Sequence, residues 1–130
     1  MRKISVLLAD GHGAYRKGLG RAVEAHPHLE LVAETADGRQ ALERLLALEP
    51  ELAVLEVRMP GLDGLEVCDI LAGLDRPVRT RVALLTGEAN ETLVSAARIV
   101  GAAAVLSKDS ARHELCERLV QLADSLDANT

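Results

Sequence analysis

Glu51-Leu-Ala-Val-Leu-Glu56-Val-Arg-Met-Pro60-Gly-Leu-Asp-Gly64 is the stretch whose reading decides the fold. Leu52 to Leu55 is an apolar run of strand length, too short for a helix. It ends in a carboxylate, Glu56. A Pro-Gly turn follows, and Asp63-Gly-Leu-Glu66 reads as a capping box that starts a new helix. This is one strand-loop-helix unit with an acid at the carboxyl end of its strand. In open α/β sheets, that end is where ligands and chemistry sit.

The same unit recurs on both sides. Upstream, Ile4 to Ala9 is a buried strand closed by Asp10-Gly11. A helix from about Gly13 to Ala25 carries Tyr15, Leu19, Ala22 and Val23 at helical spacing, and Pro27 stops it. Leu29 to Thr35 is a second strand. Asp37-Gly-Arg-Gln40 resembles another capping box, opening a helix that buries Ala41, Leu42, Leu45 and Leu46 and ends before Pro50.

Downstream, the helix begun at Asp63 carries Leu65, Val67, Cys68 and Leu71 to near Gly73. Arg81 to Thr86 is the fourth strand. A helix from about Glu91 to Val100 presents Leu93, Ala97 and Val100, with Gly101 suited to the position after its end. Ala103 to Leu106 is the fifth strand, followed by Ser107-Lys108-Asp109. The last helix, about Ser110 to Leu126, turns Leu115, Cys116, Leu119, Val120 and Ala123 inward. Residues 1–126 make one domain, and 127–130 read as a tail or the start of a linker. Strict alternation argues a five-stranded parallel sheet, doubly wound, with helices on both faces.

Composition narrows the function. Tyr15 is the only aromatic residue, so base stacking has almost no platform. The net charge of -5 argues against direct nucleic-acid binding by this segment. Cys68 and Cys116 fall in apolar helical patterns and read as buried free thiols. No apolar run approaches membrane length, and Met1-Arg-Lys-Ile-Ser enters a strand without a signal-peptide pattern, so a cytoplasmic protein is expected. Asp10-Gly-His-Gly13 lacks the lysine of a phosphate loop and the spacing of a dinucleotide loop, so no enzyme is expected.

Polar residues gather at four strand ends: Asp10, Glu56, Thr86 and Lys108. Strand order 2-1-3-4-5 would bring them to one crevice. Two acids, a hydroxyl and an ammonium form a kit for handling a phosphoryl group. The plainer roles are a solvated acid for Glu56, a helix cap for Asp10, a loop hydroxyl for Thr86 and a surface ammonium for Lys108. His12 reads as a surface loop residue, His26 and His28 as turn residues, and Arg16, Lys17 and Arg21 as a solvated helix face.

Leu7-Leu8-Ala9-Asp10, the Met59-Pro60-Gly61-x-Asp63-Gly64 turn, Leu84-Leu85-Thr86 and Ser107-Lys108-Asp109 together resemble a response regulator receiver domain. The resemblance runs through the whole chain in order. The Lys-Asp ending of the fifth strand and the Met-Pro-Gly-x-Asp-Gly turn are similar to the NarL/LuxR-type branch. It implies a flavodoxin-like fold, two-component signalling and a histidine kinase partner. It also implies a DNA-binding helix-turn-helix output domain after this segment, and a homodimer through the last two helices and fifth strand.

Three departures stand against the family pattern. Receivers place an aspartate where Glu56 stands, and the extra methylene adds about 1.5 Å of bond. A misplacement of roughly 1 Å can cost on the order of a hundredfold in rate. Gly11 replaces the second acid of strand one, which in the family is the more direct magnesium ligand. Val105 stands where the family carries an aromatic switch residue. The expectation is a degenerate receiver in which Glu56 bonds Lys108 without phosphate, and magnesium binds Asp10 and Glu56 weakly or not at all. Such a receiver would be constitutive or respond to a small molecule or a partner protein. The alternative is a conventional receiver that still accepts a phosphoryl group.

Overall fold

The structure is a computed structural model that describes residues 2–128. Five strands alternate with five helices: β1 (Ile4–Ala9), α1 (Gly13–Ala25), β2 (Leu29–Thr35), α2 (Gly38–Leu48), β3 (Leu52–Glu56), α3 (Gly64–Ala72), β4 (Arg81–Thr86), α4 (Glu91–Ile99), β5 (Ala104–Ser107) and α5 (Arg112–Ala128). All sheet pairings are parallel and the order is β2-β1-β3-β4-β5, as the alternation of elements predicts.

The sheet has a core on each face, because side chains alternate along a strand. Val6, Leu8, Leu52, Val54, Ala83, Leu85 and Leu106 face α1 and α5 and pack with Leu19, Val23, Leu115, Cys116 and Leu119. Leu7, Ala9, Ala53, Leu55, Val82 and Leu84 take the opposite face, packing with Ala41 and Leu45 of α2, Val67 and Cys68 of α3 and Ala97 of α4. Each fully buried leucine contributes roughly 1.5–3 kcal/mol of transfer free energy. β3 is buried at every position, Glu56 included.

Local chemistry sets the helix starts. Asp63 accepts from Glu66 N at 2.8 Å and Glu66 Oε1 accepts from Asp63 N at 3.0 Å, so the expected capping box is complete. At α2 only half of one forms: Asp37 accepts from Gln40 N at 2.8 Å, and no return bond from Gln40 appears among the described residues. α1 is begun differently, with Asp10 Oδ1 accepting from His12 N at 2.7 Å. Gly64 is required by a close approach: a Cβ there would stand 2.7 Å from the Glu56 carbonyl oxygen.

Boundaries depart slightly from the sequence pattern. β5 begins at Ala104 rather than Ala103, although Ala103 N still reaches Val82 O at 2.7 Å. α5 begins at Arg112 rather than Ser110, because Ser107 closes a turn through Asp109 N and Ser110 N. α4 ends at Ile99, and Gly101 adopts φ +84° just beyond it. α5 includes residues 127 and 128 of the expected tail, and residues 129 and 130 lie outside the described residues.

Candidate functional site

Strand register assembles the site. Ala9 pairs with Leu55, so Asp10 and Glu56 each stand one step further, side by side at the rim. Glu56 pairs with Leu85, and Thr86 pairs with Ser107, which sets Lys108 one step beyond. Pleat parity then sorts these residues. Asp10, Glu56 and Lys108 fall in step with Leu8, Val54 and Leu106, toward α1 and α5. Thr86 and Val105 fall in step with Leu84, on the opposite face.

The three charged residues meet. Lys108 Nζ lies 2.6 Å from Glu56 Oε2 and 2.8 Å from Asp10 Oδ2. The Asp10 side chain is fully buried, and those of Glu56 and Lys108 are 6% and 14% exposed. Glu56 Oε1 accepts from Gly11 N at 2.9 Å. The expected bond between Glu56 and Lys108 is therefore present. Lys108 is no surface lysine, and Glu56 is no solvated acid.

Burial alone pulls the Lys108 ammonium down, but hydrogen bonding and charge from Asp10 and Glu56 outweigh it and hold it above its ordinary 10.5. Nζ also lies 4.7 Å from the centre of the Tyr15 ring. Burial raises the Tyr15 hydroxyl, against the lowering influence of that ammonium.

Two residues read as plain surface belong to the site. His12 Nδ1 lies 2.9 Å from Glu56 Oε2 and 3.3 Å from Asp10 Oδ1. A carboxylate only accepts, so the short contact puts the proton of neutral His12 on Nδ1. Its 3.3 Å contact with Lys108 Nζ is then between two donors that share the carboxylates. Arg16 does not belong to a solvated face. It donates to the Asp10 carbonyl oxygen and to Glu34 Oε1, both at 2.8 Å. The adjacency of His12 to Asp10 was visible in the sequence, but nothing there showed that β3 brings Glu56 under its ring.

Thr86 Oγ1 accepts from Glu88 N at 3.1 Å, within the β4–α4 loop. Val105 is half-buried against the face of α2, α3 and α4. Beside Thr86 opens a cleft of about 800 Å³, lined by His12, Tyr15, Glu56, Thr86, Leu93 and Lys108 among others. His26 stays a turn residue, its Nε2 3.0 Å from Glu117 Oε1. Cys68 and Cys116 are buried free thiols, and burial pushes the Cys68 thiol up to about 11. No helix among the described residues is long and apolar enough to cross a membrane.

The response regulator receiver domain pattern matches residues 6–120. The chain belongs to the response regulator receiver family. This receiver is 35% identical over 125 residues to the transcriptional regulatory protein NarL of Mycobacterium tuberculosis, covering 96% of this chain and 57% of that protein. It is 31% identical over 119 residues to the nitrate/nitrite response regulator NarL of Escherichia coli K12, covering 92% and 54%. It therefore spans a little over half the length of these curated relatives. The solved receiver domain of Mycobacterium tuberculosis NarL superposes with a TM-score of 0.90 at 34% identity, covering 95% of this chain and 98% of that one. The NarL/LuxR-type resemblance read from the turn and the fifth strand thus stands, and so does the flavodoxin-like receiver fold.

Receivers as a family imply a magnesium ion at the acids. The donors in this receiver fit it poorly. Magnesium asks for an octahedron of hard oxygens. The rim supplies two carboxylates, one imidazole nitrogen and an ammonium already between the carboxylates. Position 11 brings no third acid, and a Cβ there would stand 3.0 Å from Pro60 Cδ.

Proposed function

We propose that this chain is the receiver of an atypical response regulator that controls transcription without ordinary aspartyl phosphorylation. The observation that carries this reading is the Lys108 clamp, 2.6 Å from Glu56 and 2.8 Å from Asp10. The lysine that would bind an incoming phosphoryl group is committed to the acceptor position itself. The acceptor oxygen Oε2 is already shared between Lys108 and His12. Gly11 in place of an acid and Val105 in place of an aromatic support the same reading. Magnesium is at most a weak ligand of Asp10 and Glu56.

The whole protein would place a DNA-binding output domain after this segment and work in the cytoplasm. It would pair as a homodimer through α4, β5 and α5, with a histidine kinase as an optional partner. Mass measurement after incubation with a small phosphodonor and magnesium tests the reading. The expected result is an unchanged mass. A stoichiometric gain of one phosphoryl group on Glu56 overturns it and restores the conventional receiver.

A second reading is favoured by the cleft beside Thr86 and Lys108. Its volume lies within the range of small-molecule sites. Switching by a metabolite bound there would raise the melting temperature of the folded chain.

A further inference from the structure

We propose that the recess between α3, β4 and the end of α4 binds a small, uncharged, apolar molecule about the size of one six-membered ring. The recess lies at the amino end of β4, at the other end of the sheet from the Lys108 clamp. It is independent of how that clamp is read.

Volume is the first argument. Cys68 and Leu71 of α3, Val78 of the loop, Val82 of β4 and Val100 beyond α4 line a space of about 180 Å³. Protein interiors leave few voids larger than a water molecule. An apolar cavity of about 150 Å³ is enough to admit benzene. The space exists because the residues that close it are small. α3 ends in Ala72, and Ala97 is the one fully buried residue of α4. Gly101 turns at φ +84°, with nothing within 4 Å of the place a Cβ would take.

Charge is the second argument, and it is independent. Among the described residues no charged side chain lines the recess. The Thr80 hydroxyl is already used, donating to Pro50 O at 2.6 Å. So are the N–H groups of Val100 and Gly101, which donate to Ala96 O and Arg98 O. The remaining polar side chain of the wall is the Cys68 thiol, 3% exposed. Burial, and after it the charge of Asp63, pushes that thiol up to about 11, so it stays neutral. A charged ligand would lose its hydration here with nothing to replace it. An apolar one gains contact on all the lined sides, and a polarisable sulfur packs well against an aromatic ring.

The place of the recess links it to α4. An occupant would touch Val100 and Gly101, where the chain leaves α4 for β5. With Ala97 as its one fully buried residue, α4 is lightly held on the sheet. Filling the recess would fasten its end.

The test is thermal unfolding of the chain with toluene, and with benzoate as a charged molecule of similar shape. Toluene at about ten times its dissociation constant should raise the melting temperature by about 5 °C. Benzoate at the same concentration should not. Cys68→Leu puts its added carbons into the recess and should abolish the toluene shift. If that variant does not fold, Val78→Phe fills the same space from the loop and replaces it. In the unaltered chain, the methyl signals of Val78, Val82 and Val100 should move under toluene before those of Leu115 and Leu119 on the other face of the sheet. No toluene shift, an equal shift with benzoate, or a shift that survives in the filled variant overturns the proposal. Recess signals that move on dilution instead of with toluene would show a second copy of the chain covering this surface, and overturn it too.

Discussion

The two sides of the sheet rim differ in how their polar groups are satisfied. On the α1/α5 side, Asp10, Glu56 and Lys108 are buried and joined at 2.6–2.8 Å, and the exposed His12 ring reaches the two carboxylates at 2.9 and 3.3 Å. On the α4 side, the Thr86 hydroxyl accepts one loop hydrogen bond and Val105 offers an aliphatic face, and the cleft runs between that side and Glu56, His12 and Lys108. The first side is a closed electrostatic unit, and the second has room to rearrange. A buried ion cluster resists partial change, since removing one member strands the others. A lone neutral hydrogen bond resists little.

The largest expected effect breaks the closed side. Lys108→Met keeps the aliphatic stem and removes the ammonium from two buried carboxylates, leaving them backbone N–H donors and the His12 ring. Loss of stability should be about 3–5 kcal/mol, measured by urea unfolding at neutral pH. A loss under about 1 kcal/mol would place the clamp among ordinary surface pairs and erase the contrast.

Alkaline titration sharpens the same contrast. The folded-state pKa of Lys108 is raised above its ordinary 10.5. Its contribution to stability is therefore complete below 10.5 and is lost as the pH climbs through the raised value. The stability gap between the unaltered chain and Lys108→Met should stay level up to about pH 10 and close above it. A gap that closes in the acid range instead would assign the effect to the carboxylates.

The smallest effect is expected on the open side. Thr86→Ala removes the acceptor for Glu88 N, whose loop can turn that group to water. The loss should be about 0.5–1 kcal/mol by thermal or urea unfolding. A loss as large as that of Lys108→Met would mean the two sides are one unit.

Much of this was legible before any coordinates. β1, β2, β4 and α1 run as the apolar spacing marks them, because strand-length apolar runs and a Pro27 stop are local signals. Asp10, Glu56, Thr86 and Lys108 could be named as strand-end residues for the same reason. The bond from Glu56 to Lys108 was also anticipated, from opposite charge and an extra methylene. His12 and Arg16 were misread because their partners, Glu56 and Glu34, come from β3 and β2, far away in the chain. Thr86 was named with the charged residues as a strand end; its pleat position is in step with Leu84, on the face opposite theirs, yet it lines the same cleft as Glu56 and Lys108.

Hydrophobic period, turn residues and alternation determined the number, type and order of the elements, and with the motifs they determined the family. Those properties are local or additive along the chain, so a linear reading reaches them. Which carboxylate oxygen meets which donor was decided only in three dimensions. It depends on parallel register between β1 and β3, on which face α1 and α5 cover, and on a glycine at position 64 that lets α3 approach Glu56. A shift of one residue in β1, β3 or β5 would turn its charged end to the other face, and no pattern within a single segment encodes that choice.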